Sequence, residues 1–140
     1  MTPERRFEAL GRAPAQARER LADRILRSAA VEIVAGPEVA TASVRLPVPG
    51  TGSTFVAGRV VLTTCRVLLD GTRGDAAVQG RELCGALAAA ICDAEAERGG
   101  PLAEEVDDLV LAAEKARADG LRDEARAVAL TRLDDDEASP

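Results

Sequence analysis

Histidine is absent from this 140-residue chain, and aromatic residues are scarce. Without histidine, the chain lacks the usual general base, the usual partner of an activated nucleophile and the imidazole ligand of a metal. Catalysis by this chain would therefore have to use carboxylates, arginine, cysteine or backbone donors.

Phe7 and Phe55 are the only aromatic side chains, because neither tryptophan nor tyrosine occurs. The interior must therefore be built from leucine, valine, isoleucine and alanine. Alanine-rich helices pack closely but bury little area each, at roughly 25 cal/mol per Å² of apolar surface removed from water. We expect a single domain with a modest core that is marginal alone. We infer that a partner surface supplies part of the burial.

Positive charge is also limited, since 18 basic residues face 24 acidic ones and the net charge is −6. Binding to nucleic acid is driven by cationic side chains that neutralise phosphates. The charge balance therefore argues against a nucleic-acid partner.

The three cysteines, Cys65, Cys84 and Cys92, form neither a C-x-x-C pair nor an even set. Reduced thiols packed as small core residues are the simplest interpretation. No apolar run approaches the ~18 residues of a membrane span, and residues 1–16 lack the apolar segment of a signal peptide. We expect a cytoplasmic protein with no membrane partner.

Hydrophobic periodicity predicts an α+β fold, with an antiparallel β-meander of four to five strands packed against amino-terminal and carboxy-terminal helices. The predicted helices span about residues 3–12, 15–29, 81–97, 102–118 and 121–133. The first begins with Thr2 as its cap. The predicted strand segments are 31–33, 40–46, 53–58, 59–69 and 75–79.

Three local patterns refine this meander. In residues 40–46, apolar side chains alternate with Thr41, Ser43 and Arg45, which predicts one wet face and one buried face. Gly58 indicates a bulge or kink. Asp70-Gly71 predicts a tight hairpin turn, since both residues tolerate positive φ.

Two places could bind an anion. Backbone N–H groups of the Gly50-Thr51-Gly52 turn could hold a phosphate, although phosphate loops normally precede a helix and a strand is predicted here. A plain hairpin turn is the alternative. Arg81 stands at a predicted helix start, where free N–H groups and a guanidinium coincide, unless it pairs with a nearby carboxylate.

No catalytic residue and no metal-binding set stands out in the sequence. The acidic run Asp134–Glu137 offers carboxylates for Mg²⁺, but a flexible acidic run seldom forms a defined site. Solubility is its simpler role. We expect no cofactor bound by this chain itself.

Residues 49–82 carry a pattern of turns and strands that resembles one protein family. It comprises Gly50-Thr51-Gly52, Phe55 with Gly58, a Thr63–Leu69 strand with Cys65, Asp70-Gly71, Gly74 and Val78-Gln79-Gly80-Arg81. This order and spacing is similar to the PhnG family, whose members are subunits of the bacterial carbon–phosphorus (C-P) lyase core complex. The resemblance implies one PhnG-like domain over residues 1–133 and an acidic flexible tail over 134–140.

The resemblance implies a non-autonomous subunit in phosphonate catabolism that has no activity of its own. Its expected partners are PhnH, PhnI and PhnJ, with PhnL joining transiently. The complex, part transferase and part lyase, uses MgATP and an alkylphosphonate to form ribose 1-alkylphosphonate 5-triphosphate. Where the family usually has Asp, His and Glu, this chain has Glu82, Gly85 and Leu87, so roles of those family residues do not transfer.

Two other classes of function compete with this interpretation. One is a stand-alone anion-binding, nucleotide-binding or protein-interaction module, with Gly50, Gly52 and Arg81 as its anion site. The other is a small hydrolase built on carboxylates, which the absence of paired acids on the predicted strands disfavours.

Overall fold

A computed structural model describes residues 1–138 and, within its last helix, the side chains as far as Thr131. Its elements, in chain order, are α1 (Pro3–Leu10), α2 (Ala15–Leu26), β1 (Val31–Pro47), β2 (Thr54–Leu69), β3 (Thr72–Gln79), α3 (Leu83–Glu97) and α4 (Ala103–Ala138). The strands form an antiparallel sheet in the order β1-β2-β3. The predicted α+β class is confirmed.

The predicted number of strands is wrong, because the described sheet has three strands rather than four to five. Segments 31–33 and 40–46 belong to one strand, in which register shifts between Ile33 and Glu38 absorb the Gly36-Pro37 step. A bulge inserts residues without ending the hydrogen-bonded ladder, so a Gly-Pro pair need not separate two strands. The bulge predicted at Gly58 is confirmed by the register shift opposite Val44 and Arg45.

The Asp70-Gly71 turn joins β2 to β3 as predicted. Both residues have positive φ, 46° and 87°, and Leu69 pairs directly with Thr72. Positive φ at both central positions is the geometry that two-residue hairpins favour. The Asp70 carboxylate also accepts a hydrogen bond of 3.0 Å from the backbone N–H of Ala30, which ties this turn to the start of β1.

The core lies between α3 and one face of the sheet. Alternate residues of β2, from Cys65 to Leu69, are buried against the alanine-rich middle of α3. Gly74 permits the close approach of β3, because a Cβ there would collide with the carbonyl oxygen of Ala90. Small residues on both surfaces thus replace the large side chains that the sequence lacks.

The amino-terminal helices cover the rest of the core. Thr2 caps α1 as predicted, since its hydroxyl accepts a hydrogen bond of 3.2 Å from the N–H of Arg5. Helix α2 buries Leu21, Ala22 and Ile25. Leu83, although apolar, is exposed at the first turn of α3.

The carboxy-terminal part of the chain is one helix, not the two predicted. Helix α4 continues through Gly120, since a single glycine costs only about 1 kcal/mol relative to alanine and does not by itself end a helix. The predicted tail, residues 134–140, lies within this helix as far as Ala138, and its last two residues lie outside the described part. A domain boundary at residue 133 stays a prediction. Within residues 1–138, no helix is long and apolar enough to cross a membrane.

The short β3 divides the sheet into two regions. Its last pair joins Gln79 to Leu62, so the β1–β2 hairpin continues beyond β3 as a two-stranded ribbon. We call residues 41–61 of this ribbon the β-arm. The helices and the remaining sheet, as far as Ala113 of α4, form the body.

Candidate functional site

The predicted anion loop lies at the tip of the β-arm and forms a hairpin turn. Gly50 and Gly52 both have positive φ, 78° and 69°. The N–H of Val48 donates to the carbonyl of Ser53 at 2.8 Å, and the N–H of Thr51 donates to the carbonyl of Val48 at 3.3 Å. The alternative interpretation of this segment, a plain turn, accounts for these bonds.

Arg81 is exposed in the short link between β3 and α3 and lies far from that turn. Leu62 pairs with Gln79 near Arg81, and Thr54 begins β2 beside the turn. Thr54 and Leu62 are eight positions apart in the strand, which corresponds to ~26 Å of extended backbone. The structure therefore does not bring Gly50, Gly52 and Arg81 into one site, and anion binding at either place stays a prediction.

Two of the three thiols are buried, and one is not. Burial raises the pKa of Cys65 above its usual value and raises the pKa of Cys92 to about 12. A thiol held protonated in this way is a poor nucleophile, which fits the predicted role of small core residues. Cys84, also predicted to be buried, is exposed near the start of α3. The described residues contain no group of acidic and cysteine side chains able to hold a metal ion.

An ion-pair cluster that the sequence did not predict lies inside the body. Arg6, 6% exposed, donates to the carboxylates of Asp93 and Glu97 at 2.7 and 2.6 Å. The other carboxylate oxygen of Asp93 accepts the backbone N–H of Asp75 at 2.9 Å. These bonds join α1, α3 and the edge of β3, so their role is structural.

Arg18 forms a second internal tie. Its guanidinium donates to the carbonyls of Leu10 and Gly11 at 3.0 and 3.3 Å and to the carboxylate of Glu82 at 3.0 Å. It thereby fastens the end of α1 to the start of α3. Arg18 lies four residues before the buried Ala22, and residues at this spacing share one face of a helix. This spacing indicates that the arginine faces the core.

The surface best suited to a partner is the β-arm. Residues paired across the strands share a face, and successive residues alternate between faces. One face of the β-arm is entirely apolar and consists of Ala42, Val44, Leu46, Phe55 and Val60. Ala40 and Leu62 continue this face at the base of the β-arm. The opposite face is mixed, with Arg45 and Arg59 among threonine, serine and valine residues.

The apolar face of the β-arm is uncovered, contrary to the prediction that it is buried. Leu46 is 45% exposed and Phe55 47% exposed, and the remaining side chains of this face are at most half-buried. Strand alternation determines which residues share a face, but not what lies against that face. Among residues 1–138 no element covers this face along the β-arm, because α3 packs against the other face of the sheet and α1 reaches only the base of the strip.

The second aromatic ring stands at the base of the same face. Phe7 of α1, 38% exposed, lines an open groove of about 700 Å³ together with Leu62 and Ala77. We call the apolar face of the β-arm, with Ala40, Leu62 and Phe7, the apolar strip. Both rings of an aromatic-poor chain therefore lie on one exposed surface, and aromatic residues are enriched at the centres of protein interfaces.

Within the body, the same side of the sheet is polar rather than apolar. Arg66 and Arg73 each donate to the carboxylate of Asp75 at 2.8 Å. Burial opposes ionisation of Asp75, but these hydrogen bonds outweigh it and lower its pKa below the usual value. The apolar strip is thus bounded at its body end by a satisfied polar cluster, as expected of a delimited binding surface.

The distal part of α4 is a second exposed extension. Residues 115–131 are all exposed, and Leu121 and Val128 continue the face that Val106 and Val110 bury against the body. Its apolar residues are interrupted by charged ones, including Arg117 and Glu124 on the same side. The β-arm therefore offers the more continuous apolar surface.

Comparison with known proteins agrees with the pattern in the sequence. The chain matches a family described as "Phosphonate metabolism protein PhnG" over residues 2–135, which is nearly its whole length. A search of curated proteins finds no match.

Proposed function

Because the chain belongs to the PhnG family and so has a role in phosphonate metabolism, we propose that it is a non-autonomous subunit of the C-P lyase core complex. In this proposal it assembles with PhnH, PhnI and PhnJ, and transiently with PhnL. It supports the formation of ribose 1-alkylphosphonate 5-triphosphate from alkylphosphonate and MgATP, which companion subunits bind. The chain itself contributes no cofactor.

The apolar strip is the observation that carries this proposal. An isolated two-stranded ribbon is at best marginally stable in water, and contiguous exposed apolar patches mark interaction sites. A larger partner that covers the strip would supply the burial that this chain cannot provide from its own residues. Assembly therefore accounts for both the exposed β-arm and the thin core.

The body supports a structural role rather than an independent reaction. The Arg6 and Arg18 guanidiniums are engaged by carboxylates and carbonyls of the chain itself. Cys65 and Cys92 have raised pKa values because they are buried. Groups of this kind stabilise a fold but are not free to act on a substrate.

Co-expression with PhnH, PhnI and PhnJ tests the proposal, with single substitutions on the apolar strip. Leu46→Asp or Phe55→Asp should lower the affinity of the chain for its partners by more than roughly 30-fold, because each places a charge in a desolvated interface. Thr54→Asp, on the opposite face of the β-arm, is the matched control and should co-purify as the natural chain does. The readout is the yield of complex on size exclusion.

Two results would count against the proposal. The natural chain could elute as a monomer apart from a correctly folded PhnI, or both strip substitutions could leave the complex intact. The melting temperature of each free variant serves as the folding control, since exposed positions in the β-arm should change it little.

A further inference from the structure

We infer that the outer edge of β1 in the β-arm, residues 41–45, binds an extended strand of a partner subunit through main-chain hydrogen bonds. The inference rests on the proposed function for the existence of a partner. Beyond the proposed function, we infer the mode of binding: a strand of the partner subunit would extend the sheet beside β1. This is β-strand addition, in which main-chain bonds give affinity and alternate side chains give specificity.

Two backbone N–H groups of the sheet show which residues of β2 direct their N–H and C=O groups toward β3 and which toward β1. In β3, the N–H of Asp75 donates to the Asp93 side chain, whereas the N–H of Gly80 donates back to the carbonyl of Val61 in β2. Odd-numbered residues of β2 therefore face β3 along this stretch, and its even-numbered residues, such as Leu62, face β1.

The same alternation continues into the β-arm. Leu62 pairs with Ala40, and at the tip the N–H of Val48 donates to the carbonyl of Ser53. Even-numbered residues of β1 thus bond to β2 at both ends of the ribbon. Thr41, Ser43 and Arg45 consequently direct their N–H and C=O groups away from β2, to the outer edge.

The outer edge of β1 is protected in the body and open in the β-arm. Between Ile33 and Glu38 the strand carries two register shifts and Pro37, which lacks an N–H group. Bulges and prolines are the usual means by which proteins block unwanted pairing at a sheet edge. Residues 41–46 contain no proline, and the one register shift among them, between Val44 and Arg45, places its extra residue in β2 rather than in β1. All six residues are exposed except the half-buried Ala42. The protection therefore ends where the β-arm begins.

The arm also constrains the chemistry of the added strand. Apolar residues at every second position would extend the apolar strip beside Ala42 and Val44. On the other face an acidic residue would meet Arg45, which forms no ion pair with any side chain that the structure describes. A second copy of this chain fits less well, because each arm carries Arg45 and Arg59 and no acidic residue.

A proline substitution separates edge pairing from the other contacts of the arm. Ser43→Pro removes one outward N–H and leaves the β1–β2 ladder intact, since proline is tolerated at edge positions whose N–H faces solvent. We expect Ser43→Pro to weaken association with the co-expressed partner subunits by roughly tenfold, through loss of a main-chain bond and steric blocking. Ser43→Ala, the matched control, should bind as the natural chain does. Unchanged binding by Ser43→Pro would overturn the inference.

Amide hydrogen exchange of the natural chain gives a second test that needs no variant. The amides of Thr41, Ser43 and Arg45 should exchange fast in the free chain and slowly in the complex. Fast exchange of these amides in the complex would overturn the inference, even if Ser43→Pro failed to fold. Dimers of the purified chain that Ser43→Pro dissociates would also overturn it, because the edge would then serve a second copy.

The two proposals fail in different ways. If Phe55→Asp abolishes the complex while Ser43→Pro has no effect, the partner covers the apolar strip without adding a strand, and only the edge inference fails. If the natural chain does not associate with the partner subunits at all, the proposed function fails together with the inference.

Discussion

The two ends of strand β2 have the same backbone geometry and opposite surroundings. In the body, Cys65, Val67 and Leu69 are fully buried beneath α3. In the β-arm, Phe55 on the apolar strip and Val56 on the opposite face are about half exposed. Helix α3 covers one face of the sheet within the body, and among residues 1–138 no helix covers the apolar strip on the opposite face. The apolar residues of the β-arm therefore gain burial only from another molecule.

The charged groups differ between the two regions in the same way. In the body, the guanidiniums of Arg6 and Arg18 are buried and bonded within the chain. In the β-arm, Arg45 and Arg59 are exposed and have no ion-pair partner among the described side chains. The body therefore bonds its two buried guanidiniums internally, whereas both arginines of the β-arm are available to a partner.

The largest difference in stability should come from the ion pairs. Asp93→Ala leaves the buried Arg6 guanidinium with Glu97 alone and the N–H of Asp75 without its acceptor, so we expect a loss of about 3 kcal/mol in the free energy of unfolding. Urea-induced unfolding would measure it. Glu114→Ala, which breaks the exposed pair with Arg5, should give no measurable change. Equal effects of the two substitutions would show that the body does not depend on its internal pairs.

Two glycines provide a second comparison. Gly74→Ala in the body places a Cβ against the backbone of Ala90 and should cost about 2 kcal/mol through overpacking between β3 and α3. Gly58→Ala in the β-arm meets no atom within 4 Å, so its effect on unfolding should be within about 0.5 kcal/mol. If Gly58→Ala were the more damaging substitution in urea, the arm would be more constrained than the structure indicates.

The smallest expected effect is the difference in labelling rate between the thiols. It tests whether the core of the body remains inaccessible to reagents in solution. At pH 8, a maleimide should label Cys84 quickly and leave Cys65 and Cys92 unlabelled until denaturant is added, as measured by mass spectrometry of the intact chain. Labelling of Cys92 in the native chain at the rate of Cys84 would contradict this.

The raised pKa of Cys92 also sets the sign of a pH effect. The folded chain holds this proton up to about pH 12, whereas the unfolded chain releases it near the usual value of 9.0. The stabilisation is complete below pH 9 and decreases as the pH rises through that interval, because the unfolded state binds fewer protons there. Cys92→Ala should reduce the loss of stability on raising the pH from 9 to 11.

Local signals in the sequence predicted local structure well. Thr2, Asp70-Gly71 and Gly58 each act through the backbone conformation or the capping bond of their own residue, so the cap, the turn and the bulge were predictable. Gly36-Pro37 and Gly120 were misinterpreted as breaks. A bulge and a continuous helix tolerate these residues when neighbouring elements hold the backbone in place.

The candidate surface was only half predictable. Alternation in residues 40–46 identified one apolar face, and the scarcity of aromatic residues indicated a partner. The buried arginines escaped detection because Arg6 and Arg18 are surface-type residues whose carboxylate partners lie more than 60 positions away. Nothing local in a sequence records a contact at that separation.

Composition, strand alternation and turn chemistry thus determined the α+β class, the hairpin between β2 and β3 and the two-faced character of the β-arm. These properties depend on residues close together in the chain. Only the tertiary structure decided that β3 is too short to accompany the whole hairpin, that Phe7 and Phe55 lie on one exposed strip, and that the edge of β1 is open. Those properties depend on where separate elements end relative to each other in space, which the free energy of packing the entire chain decides.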